Sequence, residues 1–307
     1  MTPLPSPQQL RFLCALAEHR HFGRAANACA VSQSTLSAGI LTLEHQLDAA
    51  ILDRGAGKRV VFTPLGIELI GRARAALAAL GAVAEAAEAA RAPLAGPLRL
   101  GVIPTIGPFL LPRLMPALRA AFPDLRLFLR EDLTARLVER LAENRLDALL
   151  VALPCDCGGG TVEPLGRDEF LLALPPGHPL AARERVPIAA LAAEKLLLLE
   201  DGHCLREQAL AVCGRQAGAH DDFAATSLHT LVQMVAGGLG LTLLPASAVA
   251  GGVISGAAVA LRKLDGAGAW RTLGLVWREG APREGDYRAL APVIAAATAQ
   301  PTPRPIT

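Results

Sequence analysis

Cys204 and Cys213 stand nine residues apart in a segment that reads as a strand end running into a helix, Leu199-Glu200-Asp201-Gly202-His203-Cys204-Leu205-Arg206-Glu207-Gln208. A cysteine at a helix N-terminus meets the partial positive charge there, which favours thiolate. His203 and Arg206 add to that bias. Cys213 falls with Leu205, Ala209 and Val212 on the apolar face, which predicts a buried, inert thiol. Over nine residues an intact helix rises roughly 13.5 Å and turns about 900°, so the two side chains leave from opposite faces. A disulfide needs Cα atoms within about 7 Å. Bonding this pair would therefore require the helix to unwind, and oxidation here would act as a conformational switch. Two unrelated helix cysteines are the plain alternative.

The chain has six cysteines. Cys155 and Cys157 lie in a loop, Pro154-Cys155-Asp156-Cys157-Gly158-Gly159-Gly160. A Cys-x-Cys can ligate a metal, but no second Cys or His pair is near in sequence, so an adventitious exposed pair is expected. Cys14 and Cys29 fall on helix core faces and read as packing residues. No His/Asp/Glu cluster has ligand spacing, which predicts no metal. The triple glycine is not followed by Lys-Ser/Thr, so nucleotide chemistry has no support. No cofactor is expected.

The elements that position these residues follow from pattern. At 307 residues the chain suits two or three compact units. Its net charge of +2 argues neither for nor against nucleic acid, so any DNA-binding reading rests on local pattern. Residues 10–16 are too short an apolar run for a secretory signal. Residues 223–261 carry no Lys, Arg, Asp or Glu, but Gly237-Gly238, Gly240, Pro245 and Gly251-Gly252 break them. A buried helix–turn–strand, not a membrane span, is expected there. The reading is cytoplasmic, and a reducing compartment disfavours structural disulfides.

Leu10, Leu13, Cys14 and Ala17 mark one face of a first helix, and Phe22, Ala25, Ala26 and Cys29 that of a second. Ser32 is placed to cap a third, with Leu36, Ile40, Leu43 and Leu47 buried. That leaves Gln33, Ser34, Ser37 and Ala38 near its exposed N-terminal end. Two β-rich pieces around 51–54 and 60–63 complete a winged helix-turn-helix. Pro64 opens a fourth helix whose Leu69, Ala73, Ala76, Leu80, Val83, Ala87 and Ala90 form a heptad seam, predicting dimerisation. From residue 98 a β-α-β-α-β order implies a parallel sheet, and a second α/β set follows. The expected fold is α+β and multi-domain: a winged helix-turn-helix (1–64), a linker helix and hinge (65–97), and a periplasmic-binding-protein-like α/β regulatory domain of two subdomains (98–307).

In such a fold the recognition helix enters the major groove. Gln33 suits adenine, Ser34 and Ser37 suit bases or phosphates, and Arg54, Lys58 and Arg59 suit the backbone or minor groove. The run Phe22-Gly23-Arg24-Ala25-Ala26 through Val31-Ser32-Gln33-Ser34-Thr35-Leu36-Ser37, then Leu43-Glu44, Leu52-Asp53-Arg54 and Thr63-Pro64-Leu65-Gly66, resembles the signature of LysR-type transcription factors. Ser34 and Ala38 depart from common family residues, which bears on the operator sequence. The Gly-His-Cys-Leu-Arg context resembles the redox segment of the peroxide-sensing members. That resemblance implies that Cys204 is oxidised by peroxide to a sulfenic acid and that Cys213 resolves it to a disulfide. It further implies that Thr105 and Thr134 bring hydroxyls to the peroxide, that Arg278 stabilises the thiolate, and that Glu207 takes part in proton handling. It implies a dimer of dimers on promoter DNA, with RNA polymerase as a further partner. Competing readings are a LysR-type regulator of a small organic effector held between the subdomains, and a thiol peroxidase. The helical first ninety residues argue against the enzyme.

Overall fold

The computed structural model describes residues 4–53, 60–89, 94–214 and 224–298. The chain divides into two compact units, Met1–Ala87 and Glu88–Thr307.

In the first unit α1 (Pro7–His19), α2 (Phe22–Ala28) and α3 (Gln33–Leu47) pack together, and Leu52 bridges Phe62 in antiparallel fashion before α4 (Pro64–Ala89). Each short helix starts on a side-chain cap. Ser6 and Gln9 form a reciprocal capping box on α1, His21 accepts from the N–H groups of Gly23 and Arg24, and Ser32 accepts from that of Thr35. The core of this unit is Phe12, Leu13, Leu16, Ala25, Ala26, Leu36, Ile40, Leu43 and Ile51, joined by Ile70 and Ala73 of α4. The buried face of α1 is thus centred on Phe12, Leu13 and Leu16, with Leu10, Cys14 and Ala17 only flanking it. Gly39 explains the shift, because a Cβ there would sit 2.5 Å from the Phe12 ring, so a glycine on α3 admits the aromatic side chain.

The second unit is a two-lobed α/β fold. β1 (Gly96–Val102) pairs in parallel with β2 (Leu125–Glu131) and β3 (Ala148–Leu153), with α5 (Gly107–Ala121) and α6 (Thr134–Ala142) as crossovers. The near-continuous apolar run of β3 suits a strand buried on both faces. β4 (Thr161–Leu174) crosses between the lobes. Its first part is antiparallel to the strand from Trp270 to Trp277, and its last residues pair with those from Thr242 to Pro245 and from Ala260 to Asp265. The remaining elements are β5 (Arg185–Pro187), β6 (Leu198–Leu199), α7 (Cys204–Val212), β7 (Ala224–Ala225), α8 (Leu228–Ala236), β8 (Thr242–Pro245), α9 (Ala246–Ala250), β9 (Ala260–Asp265), β10 (Trp270–Trp277) and α10 (Glu284–Thr298).

Each lobe has its own core. One gathers Leu100, Leu110, Leu150, Leu275, Trp277 and Leu290, and the other Phe170, Leu172, Leu198, Leu231, Val235 and Leu244. The sequence pattern placed a strand only at 170–174. The first half of β4 is hidden by Pro164 and Gly166, which the sheet accepts at a register shift opposite Leu273 and Gly274. The helix expected over 134–144 ends at Ala142, and β5, β9 and α9 carry too little pattern to be read in advance. Among the described residues no helix is long and apolar enough to cross a membrane.

Candidate functional site

Cys204 is the first residue of α7, with His203 at the cap position. The turn before it passes through Gly202 at a φ of +92°, a conformation that favours glycine, and a Cβ there would stand 3.1 Å from Leu133. This brings Cys204 into a recess lined by Ile103, Pro104, Thr105, Leu133, Thr134, Gly202 and His203. The loop after β1, the start of α6 and the start of α7 therefore meet at one sulfur. The recess holds about 170 Å³ of open space but is too narrow for a water molecule.

The Thr134 hydroxyl lines the same recess as the Cys204 thiol and helps to favour its thiolate. Thr105 is buried, and its hydroxyl and carbonyl accept from Nη1 and Nη2 of Arg271 at 2.9 and 3.0 Å. Because the Thr105 hydroxyl oxygen already accepts, its own proton remains to donate into the recess. Arg271 is itself fully enclosed. Its Nε lies 3.0 Å from Oδ2 of Asp168, whose carboxylate also receives the N–H and hydroxyl of Ser247 at 2.8 and 2.7 Å. A chain of charged and polar groups thus runs from Ser247 through Asp168 and Arg271 to Thr105 at the recess.

Burial is the largest influence on the Cys204 thiol and pushes its pKa up. The charge of Arg271, the Thr134 hydrogen bond and the Leu205 N–H oppose it, while Glu207 adds to it, and the balance stays above the ordinary value. The expected bias towards thiolate from His203 and Arg206 is not what the surroundings deliver. Burial pushes His203 below the usual imidazole range, against the opposing pull of Glu200, so near neutral pH it carries little charge. Arg206 is engaged by Asp201 at 2.9 Å and by the Leu199 carbonyl at 3.3 Å.

Arg278 needs a further correction. Its Nη1 donates to the carbonyls of Leu141 and Leu146 at 2.8 and 2.7 Å, and it does not line the recess. The cation that acts on Cys204 is Arg271. The reason is strand alternation: Arg271 shares the buried side of β10 with Leu273, Leu275 and Trp277, whereas Arg278 lies just past the strand end. Glu207 is exposed in the first turn of α7.

Cys213 caps the C-terminal end of α7 and is buried, with its N–H on the Ala209 carbonyl at 3.1 Å. It belongs to the core of one lobe, whereas Cys204 packs against the core of the other. Cys155 and Cys157 are bonded to each other, with Cα atoms 5.4 Å apart. They are not a freely exposed pair, because Cys157 is buried at 8% exposure in the first lobe's core and Cys155 packs beside it. Among the described residues no group of His, Cys, Asp or Glu is placed to hold a metal.

On α3, Gln33, Ser34, Ser37 and Ala38 are all exposed, as is the capping Ser32. The Ser32 hydroxyl also lies 2.8 Å from that of Ser34 and 2.7 Å from that of Thr35, so it serves the helix start as well as facing outward. Glu44, noted in sequence only within a signature, is buried, and its Oε1 accepts from the N–H groups of Ile51 and Leu52 at 2.8 and 3.0 Å. It fixes the start of the wing. Arg54, Lys58 and Arg59 lie outside the described residues.

Residues 7–67 match the model of the bacterial regulatory helix-turn-helix proteins of the lysR family, and residues 91–299 that of the LysR substrate binding domain. Over 299 residues the chain is 45% identical to the DNA-binding transcriptional dual regulator OxyR of Escherichia coli K12, covering 94% of each. A full-length OxyR from Pseudomonas aeruginosa, a cysteine-to-aspartate variant, superposes with a TM-score of 0.76 at 34% identity, over 95% of this chain and 98% of that one. A hydrogen-peroxide-bound cysteine-to-serine variant of OxyR from Corynebacterium glutamicum superposes with a TM-score of 0.65 at 31% identity, over 97% and 94%.

Proposed function

The chain belongs to the LysR family of bacterial regulatory helix-turn-helix proteins, and from that premise we propose that it is a transcriptional activator of oxidative-stress genes which senses hydrogen peroxide through Cys204 and Cys213. The observation that carries the reading is the recess at Cys204, where two threonine hydroxyls and a buried guanidinium converge on one thiol.

Hydrogen peroxide is neutral and must be held in line with sulfur, a task for groups that both donate and accept, and the narrow recess widens to admit it. Thr134, beside the thiol in the recess, and Thr105, with its proton left to donate, supply them. The thiolate of Cys204 attacks one peroxide oxygen, the O–O bond breaks, and the products are a sulfenic acid and, after proton uptake, water. Arg271 stabilises the anion that attacks. The Cys213 thiol then displaces water from the sulfenic acid to form the disulfide. Since α7 holds the two sulfurs at its opposite ends and in different cores, it must unwind for this second step. His203 closes one side of the recess as a neutral wall, and Glu207, exposed in the first turn of α7, is the carboxylate for the proton that leaves.

The working layout is the winged helix-turn-helix at 1–64, the linker at 65–97 and the sensing domain at 98–307. Gln33, Ser34, Ser37 and Ala38 face the major groove, and Arg54, Lys58 and Arg59 serve the phosphates. Leu80 and Val83 of α4, exposed at 50% and 71%, are where a second copy of the chain packs in a dimer of dimers. The regulator works in the cytoplasm, with RNA polymerase as its downstream partner, and it is not an enzyme.

The deciding test is transcription in vitro from a peroxide-responsive promoter. Wild type should activate on adding peroxide, and Cys204→Ser should bind the same DNA without responding. A Cys204→Ser protein that still responds would sink the reading.

A further inference from the structure

Cys155 and Cys157 lie outside the recess at Cys204, and nothing in the proposed sensing uses them. We propose that they form a second, independent thiol–disulfide couple, one that equilibrates with small zwitterionic thiols of the glutathione type.

Several observations support this. The two cysteines are already bonded in the structure, with Cα atoms 5.4 Å apart, inside the range a disulfide requires. A bridge across two residues closes so small a ring that it constrains little of the unfolded chain, so structural stapling does not account for it. A bridge without a stapling role is a candidate for reversible exchange.

The surroundings supply the asymmetry that exchange needs. Cys155 is half-buried and within reach of solvent, whereas Cys157 is buried against the first lobe's core. The loop is pinned just beyond them at Gly160, where a Cβ would meet the Trp277 carbonyl at 2.7 Å. The backbone just after Cys157 is therefore held against β10. A groove of about 280 Å³ runs beside Cys157, and Val138, Gly158, Arg278 and Glu279 help to line it. Arg278 and Glu279 present one charge of each sign, which complements a small thiol peptide bearing both an ammonium and carboxylates.

Exchange proceeds in two balanced steps. The Cys155 thiolate attacks one sulfur of a small disulfide, forming a mixed disulfide and expelling one small thiolate. The Cys157 thiolate then attacks the Cys155 sulfur and expels the second. Two protein thiols lose two protons and two electrons, and the small disulfide leaves as two thiols. Reduction is the reverse, entering at Cys155 with Cys157 as the leaving thiolate.

The test uses the full chain, as wild type and as a Cys204→Ser, Cys213→Ser double variant, so that failure of the peroxide reading does not decide it. Both are equilibrated in buffers of stepped reduced-to-oxidised glutathione ratio, alkylated, and read by mass spectrometry of the tryptic peptide 146–167. The expected result is a doubly alkylated peptide at reducing ratios. At oxidising ratios it should give way to one with neither cysteine alkylated, lighter by the two hydrogens lost, at the same midpoint in both proteins. Three results would overturn the proposal: a peptide alkylated twice at every ratio, one that only accumulates glutathione adducts without the internal bond, or a bridge that excess thiol never opens.

Discussion

Arg271 and Asp168 are register partners across β10 and β4, and their side chains close the pairing with Nε 3.0 Å from Oδ2 in a place where neither is exposed. The pair holds the guanidinium whose other nitrogens grip Thr105. Removing one partner of a buried ion pair costs about 3–5 kcal/mol, so Asp168→Asn should lower stability by an amount towards that range in urea unfolding. It should also slow peroxide oxidation of Cys204, because Arg271 is no longer held against the recess. Replacing both together, Asp168→Leu with Arg271→Met, should regain part of the stability and none of the rate. If stability and rate recover together, Asp168 acts only on packing.

Thr134 and Arg278 separate the two places where a resemblance and a geometry assign roles. Thr134 lines the recess at the reacting sulfur, and a hydrogen bond from its hydroxyl to the attacking thiolate contributes about 1.5–3 kcal/mol. Thr134→Val should therefore slow sulfenic acid formation by roughly 10- to 100-fold, as followed by stopped flow. Arg278→Ala should leave that rate within about twofold, as expected for a site without shared partners. It should instead loosen the end of α6 and the turn after it, where it holds the carbonyls of Leu141 and Leu146. A large rate loss in Arg278→Ala would restore the sequence-based assignment.

The acidity of Cys204 sets a pH dependence whose sign is opposite to the one its helix position suggests. Burial holds the thiol above its ordinary value, so at neutral pH the protonated form predominates. Alkylation of Cys204 should then climb about tenfold per pH unit across the neutral range, because the thiolate is the nucleophile. Arg271→Met removes the leading opposing influence and should move the profile to still higher pH. A rate already level below pH 7 would mean that the N-terminal helix charge outweighs burial after all.

Much of this site was legible from spacing. Cys204 at the start of a helix, Cys213 on its apolar face and Thr134 at the head of the preceding helix follow from local pattern, and the structure places each there. Arg271 was missed although a signal existed. It is a lone cation on the same parity as Leu273, Leu275 and Trp277, and Asp168 is a lone carboxylate on the parity of Phe170, Leu172 and Leu174. A charge on a buried parity demands a partner, but the partner lies across a pairing that Pro164 and Gly166 disguise. The burial of Glu44 and of Cys157 was beyond local pattern for a similar reason. Both depend on what the rest of the unit packs over them, at the wing for one and at α6 and β10 for the other.

The two ends of α7 carry the last prediction. Cys204 packs against one lobe's core and Cys213 belongs to the other's, with an unbroken helix between them. Forming their disulfide must bring Cα atoms to within about 7 Å, which removes helical hydrogen bonds along 204–212 and pulls Cys213 from its core. Hydrogen exchange on the oxidised protein should therefore show lost protection in the amides of α7, Ala209 and Leu210 among them, with β1 and β3 unchanged. Cys213→Ser should stop at the sulfenic acid and keep the reduced-state protection. Since a buried thiol behaves as a small hydrophobe, that variant should also lose some stability, about 1–2 kcal/mol as for other buried polar replacements. Unchanged protection of α7 in a protein whose Cys204–Cys213 bond is mapped by mass spectrometry would mean that the helix is not the switching element.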